Sequence, residues 1–264
     1  MSLFHSPEFC SLNALPIIRD ADTGASLLLG PERGSYGGFS GFADAYTMEQ
    51  LLRHAPPRCA IKLAPADYDI ERFSRSMNTL HKAGFMVDAA DLSYVLRPLD
   101  INFTNGMSTG AAKKLAKGER ARFVSCKLER ADWRRAHALL HANRVRQGYA
   151  PPIPLSSIEA VERALPGTYH FFATHAAGKM IAAAITVKVE DDILYIYSWG
   201  DAEKNEDSPT THLFSAIYEE ACFMSCRLLD AGTCVANGAF NEGIADFKES
   251  LGFPPSVKIT MARK

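Results

Sequence analysis

The pattern of apolar and polar positions is densest between Met180 and Arg227, where it spells strand, turn, strand, loop and helix. Ile185, Val187 and Val189 alternate with Thr186 and Lys188, the period-two pattern of a strand with one face in the core. Glu190, Asp191 and Asp192 make the turn. The return strand places Ile193, Tyr195, Tyr197 and Trp199 on one face and Leu194, Ile196 and Ser198 on the other. Both faces read as covered, so this is a central strand. Ser208, Pro209, Thr210 and Thr211 then open an amphipathic helix of about five turns, with Leu213, Ile217, Ala221 and Met224 at helical spacing.

Ahead of this centre, Leu15 to Arg19 and Ser26 to Gly30 read as short strands, followed by a glycine-rich stretch, Gly34 to Gly41. That stretch lacks a Gly-Lys-Ser/Thr run and carries Tyr36, Phe39 and Phe42, so it is expected to be a structural loop. Thr47 to His54 and Glu71 to Ala83 are expected helices, Cys59 to Leu63 a strand, and Phe85 to Val87 and Ser93 to Leu96 two further strands. Asn105 to Gly110 is polar and contains glycine, which makes it the best boundary in the chain and divides it into residues 1–104 and 105–264.

After that boundary come a basic helix, Ala111 to Arg120, a strand, Phe123 to Leu128, and a helix from Asp132 to Gln147. Ser156 and Glu159 have capping-box spacing, Tyr169 to Thr174 is a strand, and Leu228 to Asp230 another. A helix from Asn241 to Leu251, with Gly252 behind it, and a last strand, Val257 to Met261, close the chain. The expected class is α/β (α+β), with mixed, mostly antiparallel sheets flanked by helices.

Composition narrows the partners. With 264 residues and 47% hydrophobic composition the chain can bury a full core, as one large domain or two small ones. A formal charge of −1 gives no global attraction to nucleic acid or membrane, but charge is segregated. Lys113 to Arg146 holds eleven Lys and Arg against three acids, whereas Glu190 to Asp207 holds seven acids and one lysine. The basic run is a solvated face or a docking surface for RNA phosphate or an acidic substrate. No apolar run approaches the ~20 residues of a membrane span. The six cysteines form no CxxC pair and no leader precedes them, so reduced thiols in the cytoplasm are expected. Cys222 and Cys226, one turn apart, read as packing residues. His137 and His141 have zinc-gripping spacing but lack the glutamate of the protease motif, so no metal site is expected.

The order of elements over residues 120–264 resembles the GNAT acyltransferase fold, in which a central strand splays from its successor and the acyl donor lies in the gap. Asn241-x-Gly243-Ile244-x-x-Phe247-Lys248-x-x-Leu251-Gly252 is similar to the asparagine, glycine and Phe-Lys pattern near the end of Fem-type (FemAB-like) aminoacyltransferases. So is the run from Ser208 to Phe214 leading to Leu229, Asp230, Ala231 and Gly232. The resemblance implies tandem GNAT-like domains, with residues 1–104 a degenerate first copy and 105–264 the second. It implies acyl or aminoacyl transfer to a small-molecule or peptide amine. Acyl-CoA or aminoacyl-tRNA is then the donor, with no tightly bound cofactor, and tRNA would dock on Lys113 to Arg146.

Two departures bear on function. The Gln/Arg-x-x-Gly-x-Gly/Ala turn that binds the pyrophosphate of coenzyme A is missing, and Asp201, Glu203, Glu206 and Asp207 stand just upstream of the helix instead. The chain also lacks the heptad arm of some cell-wall Fem enzymes. Candidate catalytic residues are Tyr197, Lys248 and His212; candidate substrate or donor contacts are Trp199, Ser198, Thr210, Thr211, Asn241 and Phe247. Lys248 is either a solvated lysine or the holder of donor phosphate or developing charge, and Phe247 is expected in the core. Three readings stay open: a Fem-type transferase, a non-catalytic binding protein that uses the same groove, and a coenzyme A enzyme with a diverged loop.

Overall fold

The computed structural model describes residues 2–4, 17–19, 26–28, 38–40, 45–53, 55, 58–97, 102–203, 207–236 and 238–263. Of the glycine-rich stretch only Gly38–Ser40 falls within them, as a strand. The chain forms two compact units, Met1–Ser93 with Ser256–Lys264, and Tyr94–Pro255.

The first unit contains a four-stranded antiparallel meander: β1 (Ser2–Phe4), β2 (Ile17–Arg19), β3 (Ser26–Leu28) and β4 (Gly38–Ser40). It continues through α1 (Ala45–Arg53), β5 (Cys59–Lys62), α2 (Ile70–Lys82) and β6 (Met86–Leu96). Met48, Leu51, Leu52, Ile61, Leu80 and Phe85 form its core. The last strand of the chain, β14 (Pro255–Arg263), pairs antiparallel with β5 and adds Ile259 and Met261 to that core. The two short strands expected at 85–87 and 93–96 are one continuous strand. Asp88, Ala89, Ala90 and Asp91 are poor strand formers, but ladder pairing outweighs propensity here, and Asp91 meets Lys62 at 3.5 Å.

The second unit begins with a 3₁₀ turn, Phe103–Gly106, and α3 (Thr109–Arg120), capped by Ser108. There follow β7 (Val124–Lys127), α4 (Trp133–Arg146), α5 (Leu155–Ala164), β8 (Tyr169–Ala176), β9 (Lys179–Val189) and β10 (Ile193–Asp201). Then come α6 (Pro209–Phe223), β11 (Leu228–Thr233), a ribbon of β12 (Val235–Ala236) and β13 (Ala239–Phe240) that the pattern did not announce, and α7 (Glu242–Ser250). Its strands lie in the order β11-β10-β9-β8-β7, antiparallel except for the β10/β11 pair. This is the mixed sheet flanked by helices that the pattern predicts.

Alternation along β9 builds three layers. Ala182 and Ala184 face Leu213, Phe214 and Ile217 of α6, whereas Ala183 and Ile185 face Trp133, Ala136 and Leu140 of α4 and Ile158 of α5. Small residues on both faces let the helices approach closely.

Two helix starts differ from expectation. Helix α5 begins one residue before the capping box, because Pro154 sets the first turn and accepts from the amides of Ser157 and Ile158. Helix α6 is shorter than five turns and is not amphipathic at its start, where Pro209 through Phe214 are all buried. Ser208 stands before it with φ 48° and no side-chain cap.

Gly118 of α3 is required by close approach. A Cβ there would lie 2.4 Å from Cδ2 of His212 and 2.8 Å from Phe123. Helix propensity alone favours Gly118→Ala by ~1 kcal/mol, but His212 is buried and bonded, so overpacking wins. The substitution is expected to destabilise by about 1–3 kcal/mol in urea denaturation; a net gain would mean that the imidazole swings clear.

Candidate functional site

The parallel pairing of β10 with β11 lasts three residues, Ile193 to Tyr195 against Leu228 to Asp230. Beyond it β10 runs on to Asp201 and β11 to Thr233, so the two strands part and a gap opens. Three features set the gap.

The first is a bulge. Ile196 pairs with Thr186 but Ser198 with Ile185, leaving Tyr197 as the extra residue. Tyr195, Tyr197 and Ser198 therefore face α4, while Trp199 turns to the α6 face with Leu194 and Ile196. This corrects the simple alternation, which put Trp199 with Tyr197 and Ser198 opposite. Trp199 stacks at 5.0 Å on Phe247 of α7, and Phe214 meets both edge-on at 5.4 and 5.3 Å. Ser198 is buried, its hydroxyl without a partner among the described residues.

The second feature is the end of β11. The carboxylate of Asp230 accepts from the amide of Gly232 at 2.7 Å, and Gly232 has φ 76°, conformationally open to glycine. Lys248 is 1% exposed, which excludes the solvated reading. Its Nζ donates to the carbonyls of Gly232 at 2.8 Å and Thr233 at 2.9 Å and sits 5.6 Å from the Tyr94 ring. Burial pulls its pKa down, opposed by Cys234 and Asp230. Phe247, expected in the core, is only partly buried; Ala245 and Lys248 occupy the inner face of α7.

The third feature is the segment between α4 and α5. Tyr197 accepts at its hydroxyl from the amide of Ile153 at 3.0 Å, and His137 Nε2 lies 2.8 Å from the Ile153 carbonyl. Asn241 caps α7 by accepting from the amide of Ile244 at 3.0 Å, and its Nδ2 donates to the Tyr149 hydroxyl at 3.3 Å. Arg144 donates from Nε to the carbonyl of Ala150 and lies 5.9 Å from the Tyr149 ring. Tyr195, half-buried, has its hydroxyl pKa pushed up, first by burial and then by Asp230 and Tyr197, against the pull of Arg144.

The structure thus brings Trp199 against Phe247 of α7, the helix that Asn241 caps and that carries Lys248, whereas Tyr197 lies on the opposite, α4 face of the sheet. His212 instead bonds Leu115 of α3: its Nε2 lies 2.7 Å from that carbonyl, which only accepts, so this nitrogen carries the proton. Thr210 and Thr211 are buried in the first turn of α6.

Arg144 and Tyr149 were missed, because only the turn at Gly148, φ 72°, folds the tyrosine back onto the arginine. The sequence read Asp201 merely as part of an acidic loop. At the end of β10 its Oδ1 is buried without a partner among the described residues, and burial raises its pKa to about 6 despite Arg146. The segregated charges partly meet: Lys117 pairs with Asp207, and Arg146 donates to the carbonyls of Asp201 and Ala202.

The GNAT acetyltransferase domain family matches residues 108–249. No curated protein matches in sequence. The fold is similar to that of FemX, at 12% identity and TM-score 0.70, over 99% of this chain and 92% of that one. It is similar to L-PGS from Bacillus licheniformis, at 11% identity and TM-score 0.66, over 97% and 86%. A GCN5-related N-acetyltransferase from Kribbella flavida gives 12% identity and TM-score 0.51, over 90% and 86%. No described helix is long and apolar enough to cross a membrane.

Two substitutions test these placements. Lys248→Met keeps the apolar stem but strands two carbonyls, and should cost about 3 kcal/mol in urea denaturation. For Asp201 the folded pKa lies above the unfolded value of about 3.9, so between pH 4 and 6 the folded state binds more protons and this group's contribution falls as pH rises. Asp201→Asn should therefore melt above wild type at pH 7 and lose that advantage below pH 4.

Proposed function

The chain belongs to the GNAT acetyltransferase family, and from that membership we propose that it is a Fem-type N-acyltransferase that passes an acyl or aminoacyl group to an amine. The parted strands supply the place for the acyl group, with Tyr197, Trp199 and Asn241 around it. The observation that carries the choice of donor is the start of α6. A coenzyme A enzyme needs bare amides there for pyrophosphate. Here the turn has no glycine, Thr210 and Thr211 are buried, and Asp207 stands in front, paired with Lys117. Aminoacyl-tRNA is then the donor. Lys113, Lys114, Arg120 and Arg122 remain exposed on and just after α3 as the docking surface for its phosphates. The same proposal takes residues 1–104 as a degenerate first GNAT-like copy, supported by the strand-helix-strand order and separate core of the first unit.

One observation favours the non-catalytic binding reading. The Lys248 ammonium is engaged by two backbone carbonyls rather than held ready for a ligand. Turnover decides between the two. Radiolabelled aminoacyl-tRNA with a panel of amine acceptors should give transfer, whereas a binding protein would show saturable binding and no product. Calorimetry with acetyl-CoA should show no binding in the micromolar range. A micromolar dissociation constant, about −8 kcal/mol, would restore the coenzyme A reading with a remodelled loop.

A further inference from the structure

We propose that the α4 side of the gap is a binding site for an oxyanion of the substrate, a carboxylate or a phosphate, held by Arg144, Tyr149 and Tyr195. The substrate's identity rests on the transferase reading; the site itself does not.

Hydrogen-bond donors without acceptors among the described residues lie on this side. Arg144 fixes its guanidinium through the bond from Nε to Ala150 and its place against the Tyr149 ring, and both terminal nitrogens are without a partner among the described residues. The Tyr149 hydroxyl accepts from Asn241, so its own proton is available to donate. The Tyr195 hydroxyl has no partner among the described residues. It lies beside the end of β11, where a Cβ on Gly232 would be 3.7 Å from its oxygen. A chain of contacts links these groups. Asn143 of α4 packs on Gly200 and bonds the Asp201 carbonyl, setting the helix against β10. The Asn241 amide donates to the Cys234 carbonyl at 2.7 Å, bringing Tyr149 to the end of β11.

The acid beside Tyr195 is Asp230, and its Oδ1 is taken by the amide of Gly232. The cluster therefore offers a pre-oriented guanidinium, its two terminal N–H edges without a partner among the described residues, and two phenol hydroxyls. That set matches an oxyanion, which accepts several hydrogen bonds and takes an arginine fork in its plane. A neutral amide or an ammonium would leave the fork unmet. Two sources carry such a group: an amine acceptor with a carboxylate, such as an amino acid or peptide, and a phosphate of the donor.

Ligand-observed NMR on the full chain at constant ionic strength tests this with three probes: glycylglycine, glycylglycinamide and inorganic pyrophosphate. Glycylglycine or pyrophosphate should bind, and the amide should not. Glycylglycine alone assigns the site to an acceptor carboxylate, and pyrophosphate alone to the donor. Arg144→Met should weaken the bound probe at least tenfold. Tyr195→Phe, which removes one oxygen and spares the fold, should weaken it by a smaller factor. The proposal is overturned if neither anion binds, if the amide binds as well as the acid, or if both variants retain wild-type affinity. No turnover enters this readout, so an inactive protein that binds glycylglycine through Arg144 would sink the transferase reading and leave the site standing.

Discussion

The second unit depends on a strand pair that stops pairing in the middle of a covered sheet. Buried backbone groups need partners, and unpaired strand edges inside a protein carry a cost at every residue. After Tyr195 and Asp230 the chain meets that demand with side chains. Asp230 takes the amide of Gly232, and Lys248 takes the carbonyls of Gly232 and Thr233. A buried lysine without a carboxylate in direct contact is ordinarily expensive. Two carbonyl dipoles, Cys234 and the Tyr94 ring offset that cost. Helix α7 thus touches both strands, through Lys248 on β11 and through Phe247 on Trp199 of β10.

The same division of labour separates floor from rim. On the α6 face Trp199, Phe214 and Phe247 fill the space with aromatic surface, which makes a floor with no chemistry of its own. The α4 face carries Tyr195, Tyr197 and Arg144, and the turn after α4 carries Tyr149. The bulge at Tyr197 produces this asymmetry, since one extra residue moves Trp199 to the floor and keeps Ser198 beside the tyrosines. Without it, Trp199 would compete with Tyr149 and Arg144 for the rim.

Much of the scaffold was legible because period-two and period-3.6 patterns are local. The strands on either side of Glu190 to Asp192, the helix after Asp132 and the one after Asn241 were all readable. The bulge was not, because it is a relation between β10 and the register of β9, and no single strand shows it. Lys248 was half legible. It stands three residues from both Ala245 and Leu251, on the inner face of α7, but a lysine at an apolar position is discounted unless its partners are known, and these lie on β11. Arg144 and Tyr149 were beyond reach for a similar reason. Their meeting needs the reversal at Gly148, and the link from Tyr149 to Asn241 spans 92 residues of chain.

The proposed transferase reading leaves substrate selectivity to a small part of this scaffold. The carbonyls at the end of β11 are already engaged and the start of α6 is buried, so neither is free to read a ligand. On the proposed reading, recognition falls to the α4 face of β10 at Tyr195 and to the turn between α4 and α5. That turn is short, is fastened at Ile153 and Ala150, and carries the Tyr149 hydroxyl over to Asn241. On that reading, changes there alter which substrate is held without disturbing Lys248, which bonds Gly232 and Thr233, or the aromatic floor, which β10, α6 and α7 build. On the proposed reading the gap is made by one set of residues and read by another.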